Sequence, residues 1–181
     1  GAMAAMLGLE LAAAEEVAAE AAKGEVCQPA NDNAPGQVVL SGHRTAIDRA
    51  IELAKGRGGR RSVLLPVSAP FHCSLMAPAA DAMAEALESA TLRPPAVPVV
   101  ANVTAEPVGE PATIRALLVQ QVTGRVRWRE SVLAMKAAGV GTLFELGAGK
   151  VLSGLARRID PEVEGHACGT PGEIEAVLKL L

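Results

Sequence analysis

Aromatic side chains are scarce in this sequence, which has two phenylalanines, one tryptophan and no tyrosine among its 181 residues. Proteins that bind single-stranded nucleic acid stack the bases on aromatic rings inside a basic groove. The 17 lysines and arginines are outnumbered by 20 acidic residues, and neither sign gathers into a block. The composition therefore argues against nucleic acid as a partner.

Long apolar segments are also missing. No run approaches the roughly 18 residues that a membrane-spanning helix requires. The alanine-rich start, GAMAAMLGLELAAAEE, has no basic region before its apolar residues and becomes acidic at Glu10, Glu15 and Glu16, unlike a signal peptide. We therefore expect a soluble protein with no membrane partner.

Cysteine is rare as well. Cys27, Cys73 and Cys168 are odd in number, lie far apart and never form a C-x-x-C pair. This spacing argues against a disulfide framework and against a zinc site. We expect a protein of the reducing cytoplasm that holds no metal and no cofactor.

Half of the residues are apolar, which is enough for a hydrophobic core. Up to Val67 the pattern predicts the order strand, helix, strand, strand, helix, strand. The segments, in chain order, are AMAAMLGL, LAAAEEVAAEAAKG, EVCQPA, QVVLSG, HRTAIDRAIELAKGRGG and RSVLLPVS. That order is the split βαβ arrangement, in which two helices cover one face of a four-stranded antiparallel sheet. We predict a ferredoxin-like small subdomain over residues 1–67.

The pattern changes in residues 68–181. MAPAADAMAEALESA predicts an amphipathic helix with Met76, Ala80, Met83 and Leu87 facing inward, followed by a proline-rich connector. Strands and helices then alternate, which indicates a parallel sheet. The segments are VPVVAN, TIRALLVQQV, RESVLAMKAAG, TLFEL, GAGKVLSGLARRI and PGEIEAVLKLL.

This second region has only two or three predicted strands, whereas an average sheet has about five or six. Such a small sheet is incomplete by itself. We therefore predict an α/β fold in which residues 68–181 depend on polypeptide that the sequence does not contain.

The segment SAPFHCSLM places His72 on a loop between a strand and a helix. Rigid folds display general bases on such loops, although a partly buried structural histidine fits the pattern equally well. A histidine base needs a nucleophile, and the G-x-S-x-G elbow of hydrolases is missing. Ser41, Ser74 and Ser153 lack the flanking glycines and are interpreted as cap or turn residues, and Cys73 as a small buried thiol.

Three further polar segments allow more than one interpretation. GAGK, residues 147–150, could bind an anion at the start of a helix, but a tight turn is favoured. The NDN of residues 31–33 could line a polar pocket with its amides, but turn formation is favoured. Gln121 lies late in a helix with an apolar face, where glutamine is usually solvated surface.

Five segments, taken together and in this order, resemble the malonyl-CoA:acyl carrier protein transacylases along essentially all 181 residues. They are GAMAAMLGL, PANDNAPGQVVLSGH, LPVSAPFHCSLM, PVVANV and FELGAGKVLSGLARRI. The resemblance implies a large α/β-hydrolase-like subdomain interrupted by a small ferredoxin-like one. Residues 68–181 would then be the C-terminal part of the large acyltransferase subdomain.

The resemblance also implies roles for individual residues. His72 matches the family's catalytic histidine, and Gln121 matches the residue whose main-chain carbonyl orients that histidine. Asn31 and Asn33 match asparagines that line the acyl-CoA cleft. Phe71 resembles the malonyl-selective form of a motif that carries serine in methylmalonyl-selective relatives.

The sequence departs from the family pattern at its start, since the nucleophile elbow, the oxyanion-hole glutamine and the malonyl-binding arginine have no counterpart. We therefore expect a chain that is inactive alone and has the missing N-terminal segment as a partner. The complete enzyme would transfer malonyl from malonyl-CoA to acyl carrier protein in cytoplasmic fatty acid biosynthesis. The alternatives are a non-catalytic ferredoxin-like binding module and a fragment of a polyketide synthase acyltransferase domain.

Overall fold

The computed structural model describes residues 1–180, so Leu181, the last residue of the predicted final helix, lies outside the described residues. The chain divides into two compact units, Gly1–Ser131 and Val132–Leu181. The first unit holds a four-stranded sheet together with the elements that follow it. The subdomain boundary after residue 67 therefore stays a prediction.

The first unit begins with the predicted strand and helix order. Its elements are β1 (Ala2–Leu7), α1 (Leu11–Ala22), β2 (Cys27–Ala34), β3 (Gln37–Gly42), α2 (Arg44–Gly56) and β4 (Arg61–Leu64). The strands pair in the order β2-β3-β1-β4, and every pair is antiparallel. This is the ferredoxin-like topology, so the fold prediction for this region is confirmed.

The two faces of this sheet differ in what they bury. Both helices pack on one face, where their contact surface is mostly alanine and the sheet contributes larger side chains such as Met6 and Leu40. The buried helix residues are Ala14, Val17, Ala18 and Ala21 of α1 and Ala46, Ile47, Ala50 and Ala54 of α2. The opposite face carries a smaller buried cluster of Met3, Ala30 and Val39. Small helix residues let α1 and α2 lie close to the sheet.

The structure corrects the turn predicted for residues 31–33, because β2 continues through Ala34. Asn31 pairs with Val39 of β3, and Ala30 and Asp32, on either side of it, form a second pair of hydrogen bonds with Val126. The Asp32 N–H donates to the Val126 carbonyl at 2.9 Å, and the Val126 N–H donates to the Ala30 carbonyl at 2.8 Å. Pairing on both sides overrides the turn preference of asparagine and aspartate.

The remaining elements of the first unit follow a long loop after β4. They are a 3₁₀ turn (Ser74–Met76), α3 (Ala77–Glu88), β5 (Val99–Ala101), β6 (Glu106–Val108), α4 (Pro111–Thr123) and the start of α5 (Trp128–Ala137). β5 pairs antiparallel with β6, which the sequence did not predict, so the expected parallel sheet is wrong at this point. A short hairpin forms instead because the chain reverses within Asn102–Ala105.

The predicted inward face of α3 is wrong at one position. Met83 is 40% exposed, whereas Ala84 beside it is half-buried. Ala80 and Ala84 are four residues apart, so they lie on the same side of the helix, while Met83 points more outward. The other predicted inward positions, Met76, Ala80 and Leu87, are half-buried.

The second unit contains the parallel pairing expected from alternating strands and helices. Its elements are β7 (Thr142–Leu146), α6 (Val151–Ile159), β8 (Glu164–Cys168) and α7 (Pro171–Val177). β7 and β8 pair in parallel from Thr142 with Glu164 to Leu146 with Cys168. The sequence analysis missed β8, because EGHAC has no β-branched residue and begins with a charge and a glycine. None of the helices within residues 1–180 is long and apolar enough to cross a membrane.

Candidate active site

His72 lies in the loop between β4 and the 3₁₀ turn, as the sequence predicted. Its backbone has a φ of 58°, a left-handed conformation that residues other than glycine rarely adopt. Such a conformation costs about 1–3 kcal/mol and persists only where surrounding contacts hold it. The contacts of this loop are therefore part of the site.

The ring of His72 meets the end of helix α4. Its Nδ1 lies 2.9 Å from the main-chain carbonyl oxygen of Gln121, which is 49 residues away in the sequence. A carbonyl oxygen can only accept a hydrogen bond, so Nδ1 carries the proton and donates. In the neutral tautomer that this contact selects, the lone pair is on Nε2, which is the form that a general base requires.

The Gln121 carbonyl is available because α4 ends two residues later, at Thr123. The last carbonyls of a helix have no partner within the helix. The Gln121 side chain also holds this helix end, since its Nε2 donates to the Gly124 carbonyl at 2.9 Å. The interpretation of Gln121 as solvated surface is therefore wrong.

Gly124 closes the turn after α4. Its N–H donates to the Gln120 carbonyl at 2.8 Å. A Cβ at this position would lie 2.8 Å from the Gln120 carbonyl oxygen and 2.8 Å from a methyl of Val103. Only glycine fits this close approach, which fixes the chain directly after the carbonyl that His72 contacts.

The loop around His72 has further anchors. Cys73 is fully buried, and its Sγ donates to the Pro70 carbonyl at 3.1 Å, which confirms the expected small buried thiol. The Ser74 N–H donates to the side-chain Oε1 of Gln28 on β2 at 2.8 Å. Phe71 is 38% exposed beside His72. The sheet and α4 thus hold the loop from two directions.

Asn31 and Asn33 both lie on β2 and are half-buried. Asn31 is opposite Val39, and directly paired residues of antiparallel strands share a face, so its side chain is on the face away from α1 and α2. Within residues 1–180 no hydrogen bond joins either asparagine to His72 or Gln121. Their role in substrate binding stays a prediction.

Asp32, between these asparagines, is a buried carboxylate that the sequence analysis did not single out. It is 2% exposed, and its Oδ1 has no hydrogen-bond partner among the described residues. Burial raises the pKa of its carboxyl above the ordinary range, while Arg129 and Arg125 oppose that rise. The burial of Asp32 could not be predicted from the sequence, because a charged residue between two asparagines is usually exposed.

The serines have structural roles rather than that of a nucleophile. Ser41 is buried within β3, so its interpretation as a cap or turn residue is wrong. Ser153 is in the first turn of α6, where its Oγ donates to the Glu145 carboxylate at 2.8 Å. Ser74 begins the 3₁₀ turn, and Ser131, which the sequence analysis missed, donates to the Arg127 carbonyl one helical turn earlier.

The GAGK segment forms the tight turn that was favoured over an anion site. Gly147 and Gly149 have φ angles of 126° and 96°. The Glu145 carboxylate already accepts hydrogen bonds from the Leu152 and Ser153 amides at the start of α6. Burial alone would raise the pKa of Glu145, but these hydrogen bonds lower it below its ordinary value. The Glu145 carboxylate therefore already occupies the position at the start of α6 where an external anion would bind.

No group of three or more His, Cys, Asp or Glu side chains in the described part of the chain is placed to hold a metal ion. The three cysteines are unpaired and buried, and burial raises the pKa of the Cys27 thiol to about 11. The candidate site in this chain is thus a histidine with one ring nitrogen, Nδ1, held by a main-chain carbonyl. Such a group performs base catalysis only beside a nucleophile.

Comparison with known proteins defines the family. The profile described as "Acyl transferase domain" matches residues 1–157. The chain belongs to this acyl transferase domain family.

Individual relatives within the family are malonyl transacylases. The malonyl CoA-acyl carrier protein transacylase of Escherichia coli K12 is 45% identical over 180 residues, covering 99% of this chain and 58% of the relative. The Bacillus subtilis protein of the same name is 40% identical, with coverage of 100% and 57%. The chain thus spans slightly less than three fifths of the length of these curated relatives.

Solved structures give the same result. The acyl-carrier-protein-S-malonyltransferase of Bartonella henselae superposes with a TM-score of 0.94 at 51% identity, covering 99% of this chain and 57% of that one. A malonyl-transacylase solved in complex with a type II PKS acyl-carrier protein superposes with a TM-score of 0.96 at 38% identity, with coverage of 99% and 58%. The mixed α/β fold predicted from the sequence is confirmed by these matches.

Proposed function

We propose that this chain is the C-terminal part of a malonyl-CoA:acyl carrier protein transacylase and supplies its histidine base. The observation that carries the proposal is the 2.9 Å contact between Nδ1 of His72 and the Gln121 carbonyl, in a chain whose relatives are malonyl transacylases. The serine nucleophile and the oxyanion donors come from the N-terminal part of the enzyme. The two subdomains are residues 1–67 and 68–181.

The first half-reaction loads the enzyme. Nε2 of His72 takes the proton from the serine hydroxyl as the oxygen attacks the thioester carbonyl of malonyl-CoA. Collapse of the tetrahedral intermediate breaks the carbon–sulfur bond, and the CoA sulfur leaves with the proton from the imidazolium. The Gln121 carbonyl stabilises that imidazolium through the Nδ1–H, in the place that a carboxylate occupies in a serine protease triad.

The second half-reaction transfers the malonyl group from the serine to the carrier protein. His72 takes the proton of the carrier protein's phosphopantetheine thiol, and the sulfur attacks the acyl-serine ester. The ester bond breaks, and the serine oxygen recovers the proton from His72. Each half-reaction returns the histidine to its starting state, which makes ping-pong transfer possible with a single base.

Substrate recognition is assigned to three residues. Asn31 and Asn33 offer amide groups to the acyl-CoA, from a strand whose outer face lies away from the two helices. The ring of Phe71, adjacent to the histidine, crowds an α-methyl group and favours malonyl. Discrimination by one methyl group is usually worth about 1–3 kcal/mol, so the ring biases the choice of substrate.

The enzyme acts in the cytoplasm, in fatty acid biosynthesis, and its macromolecular partner is acyl carrier protein. Unpaired, buried cysteines fit a reducing compartment. We assign it neither nucleic acid nor a membrane as a partner.

The experiment compares two histidine variants in a protein that joins this chain to the family's N-terminal part. His72→Ala abolishes malonyl transfer to carrier protein and leaves the thermal unfolding midpoint unchanged. His166→Ala, which removes the ring stacked on Phe144 in the second unit, is the matched control and retains transfer. Full transfer by His72→Ala would refute the proposal, and loss of folding would assign His72 a structural role, as in a non-catalytic binding module.

The 181-residue chain alone provides a second test. Without a nucleophile it neither loads malonyl nor transfers it, because removing one member of such a catalytic unit removes several orders of magnitude of rate. Transfer by the isolated chain at the rate of the complete enzyme would contradict the assignment of the serine to another segment.

A carrier protein of polyketide synthesis is the second candidate partner. The observation in its favour is the TM-score of 0.96 to the malonyl-transacylase solved with a type II PKS acyl-carrier protein. Rates of transfer to carrier proteins of the two kinds, at equal concentration, separate the candidates. A preference for methylmalonyl-CoA would instead point to a polyketide synthase acyltransferase domain.

A further inference from the structure

An exposed glutamine on β2 contacts the loop that carries His72. The Oε1 of Gln28 accepts the hydrogen bond of the Ser74 N–H at 2.8 Å, between residues that are 46 apart in the sequence. Gln28 is opposite Ser41 in the β2–β3 pair, so both side chains are on the sheet face away from α1 and α2. That is the same face on which Asn31 lies.

The Ser74 amide needs a partner from elsewhere in the fold. It begins the 3₁₀ turn that leads into α3, where the first N–H groups have no partner within the helix. Cys73, at the N-cap position, makes no side-chain cap hydrogen bond, and neither does Met76 before α3. Gln28 therefore acts as an N-cap supplied by a neighbouring strand.

The loop has few other ties. Within the described part of the chain, two hydrogen bonds that involve a side chain join residues 70–74 to other elements: the one from His72 to the Gln121 carbonyl, and the one from the Ser74 N–H to Gln28. The remaining bonds join residues close together in the sequence: Cys73 donates to Pro70, Met76 donates to Cys73, and the Ala77 N–H at the start of α3 donates to the Ser74 carbonyl. Besides the buried side chain of Cys73, the loop thus has one hydrogen-bonded anchor on the His72 ring and one on the backbone two residues later.

The backbone anchor bears on the geometry of the ring. His72 has a left-handed φ of 58°, and a histidine relaxes from this conformation unless the chain on both sides is held. Relaxation would rotate the side chain, break the contact with Gln121 and release Nδ1 from its fixed protonated state. The hydrogen bond from the Ser74 N–H to Gln28 holds the chain on the C-terminal side of His72.

We propose that Gln28 is a positioning residue that keeps His72 in the geometry for proton transfer, by accepting the Ser74 amide. This inference rests on the proposed function of His72 as a base. It links the ferredoxin-like sheet to catalysis through a side chain that touches neither the substrate nor the imidazole.

Two substitutions of Gln28 test whether its side-chain oxygen is needed as a hydrogen-bond acceptor. Gln28→Met keeps the length of the side chain and removes the acceptor, whereas Gln28→Glu retains an oxygen for the Ser74 amide. Gln120→Met is the matched control, because Gln120 is exposed on α4 and its side chain makes no hydrogen bond among the described residues. All three variants change an exposed side chain, so we expect unfolding midpoints close to that of the parent protein.

The kinetic measurement uses a protein that joins this chain to the family's N-terminal part. Gln28→Met lowers kcat for malonyl transfer by roughly 10- to 100-fold, because a small displacement of a catalytic group has effects of this size. KM for malonyl-CoA stays within a factor of two of the parent value, about the precision of such a comparison. Gln28→Glu restores kcat, and Gln120→Met leaves it unchanged. Parental kcat in Gln28→Met, or failure of Gln28→Glu to restore it, overturns the proposal.

The second measurement follows the ring itself and does not depend on turnover. In the parent protein the ¹⁵N spectrum of labelled histidine gives one fixed tautomer for His72, protonated at Nδ1. In Gln28→Met the same signals move toward a mixture of tautomers. If His72→Ala retains transfer, the proposed function fails, yet this spectrum still decides whether Gln28 holds the ring. An unchanged His72 spectrum in Gln28→Met contradicts the positioning role.

Discussion

Nδ1 of His72 and the carbonyl oxygen of Gln121 are 2.9 Å apart, joining a loop after the ferredoxin-like sheet to the end of helix α4. The acceptor is a main-chain atom, so its position depends on how α4 ends rather than on a side-chain rotamer. With the proton held on Nδ1, Nε2 is the nitrogen that would accept a proton in the proposed reaction.

The turn after α4 requires glycine at position 124. In Gly124→Ala the new Cβ meets the Gln120 carbonyl and Val103 at 2.8 Å, so the helix end must shift. We expect a loss of about 1–3 kcal/mol in the free energy of unfolding, measured by denaturant titration. Gly109→Ala is the control, because a Cβ there meets nothing within 4 Å. Equal stability of the two variants would show that the turn accommodates a side chain.

The alanine surface of α2 permits its close approach to the sheet. Ala50 is fully buried, so Ala50→Leu forces a larger side chain into a filled core and lowers the free energy of unfolding by about 1–3 kcal/mol. Ala12→Leu makes the same change at an exposed position of α1 and leaves stability within about 0.5 kcal/mol. Thermal unfolding of the two variants separates packing from helix propensity. A stable Ala50→Leu protein would mean that α2 has room to move outward.

How far the sequence predicts this fold depends on whether an element is specified locally. Helices α1 and α2 have their own apolar periodicity and glycine stops, and the order of the first six elements followed from them. The end of β2 did not, because pairing with β3 and with the chain near Val126 decides the conformation of residues 31–33. β6 and β8 are short and poor in β-branched residues, so their pairing appears only in the folded chain.

The candidate site likewise has residues that could be identified from the sequence and residues that could not. His72 was identified from its place on a loop, and that placement is confirmed. Its partner is a backbone carbonyl, which leaves no mark on residue type, so only the family resemblance pointed to Gln121. Gln28 contacts a residue 46 positions away and belongs to no motif, so its contact with the loop could not be predicted from the sequence.

Asp32 gives stability a pH dependence of unusual sign for a carboxylate. Burial raises its pKa in the folded protein above the unfolded value of about 3.9, so the folded state binds more protons between those two values. Stability therefore falls as the pH rises through this window and stays lower above it. Asp32→Asn removes that loss, so the variant is more stable than the parent at neutral pH.

Thermal unfolding of Asp32→Asn and the parent between pH 3 and pH 8 measures this effect, and the difference between them should shrink toward the acid end. Asp81→Asn serves as the control, because Asp81 is exposed on α3 and has no ion pair among the described residues. A variant that is less stable than the parent at neutral pH would show that attraction to Arg129 and Arg125 outweighs burial.

Phe71 is expected to determine the preference between acyl groups. Phe71→Ser opens space beside His72 and raises the ratio of methylmalonyl to malonyl loading by about tenfold or more, corresponding to 1–3 kcal/mol for one methyl group. Competition between the two CoA esters measures the ratio directly. Phe144→Ser changes the other phenylalanine of the chain, in the second unit, and should leave the ratio unchanged. Unaltered selectivity in Phe71→Ser would move the discrimination to another residue.

The protonation of the His72 ring is the most direct test of the assignment of His72 as the base. In a protein with ¹⁵N-labelled histidine at neutral pH, we predict a proton on Nδ1 with a hydrogen-bond coupling to the Gln121 carbonyl, and an Nε2 with the shift of an unprotonated imidazole nitrogen. A proton on Nε2 and a bare Nδ1 would contradict the contact on which the site is built, and with it the assignment of His72 as the base.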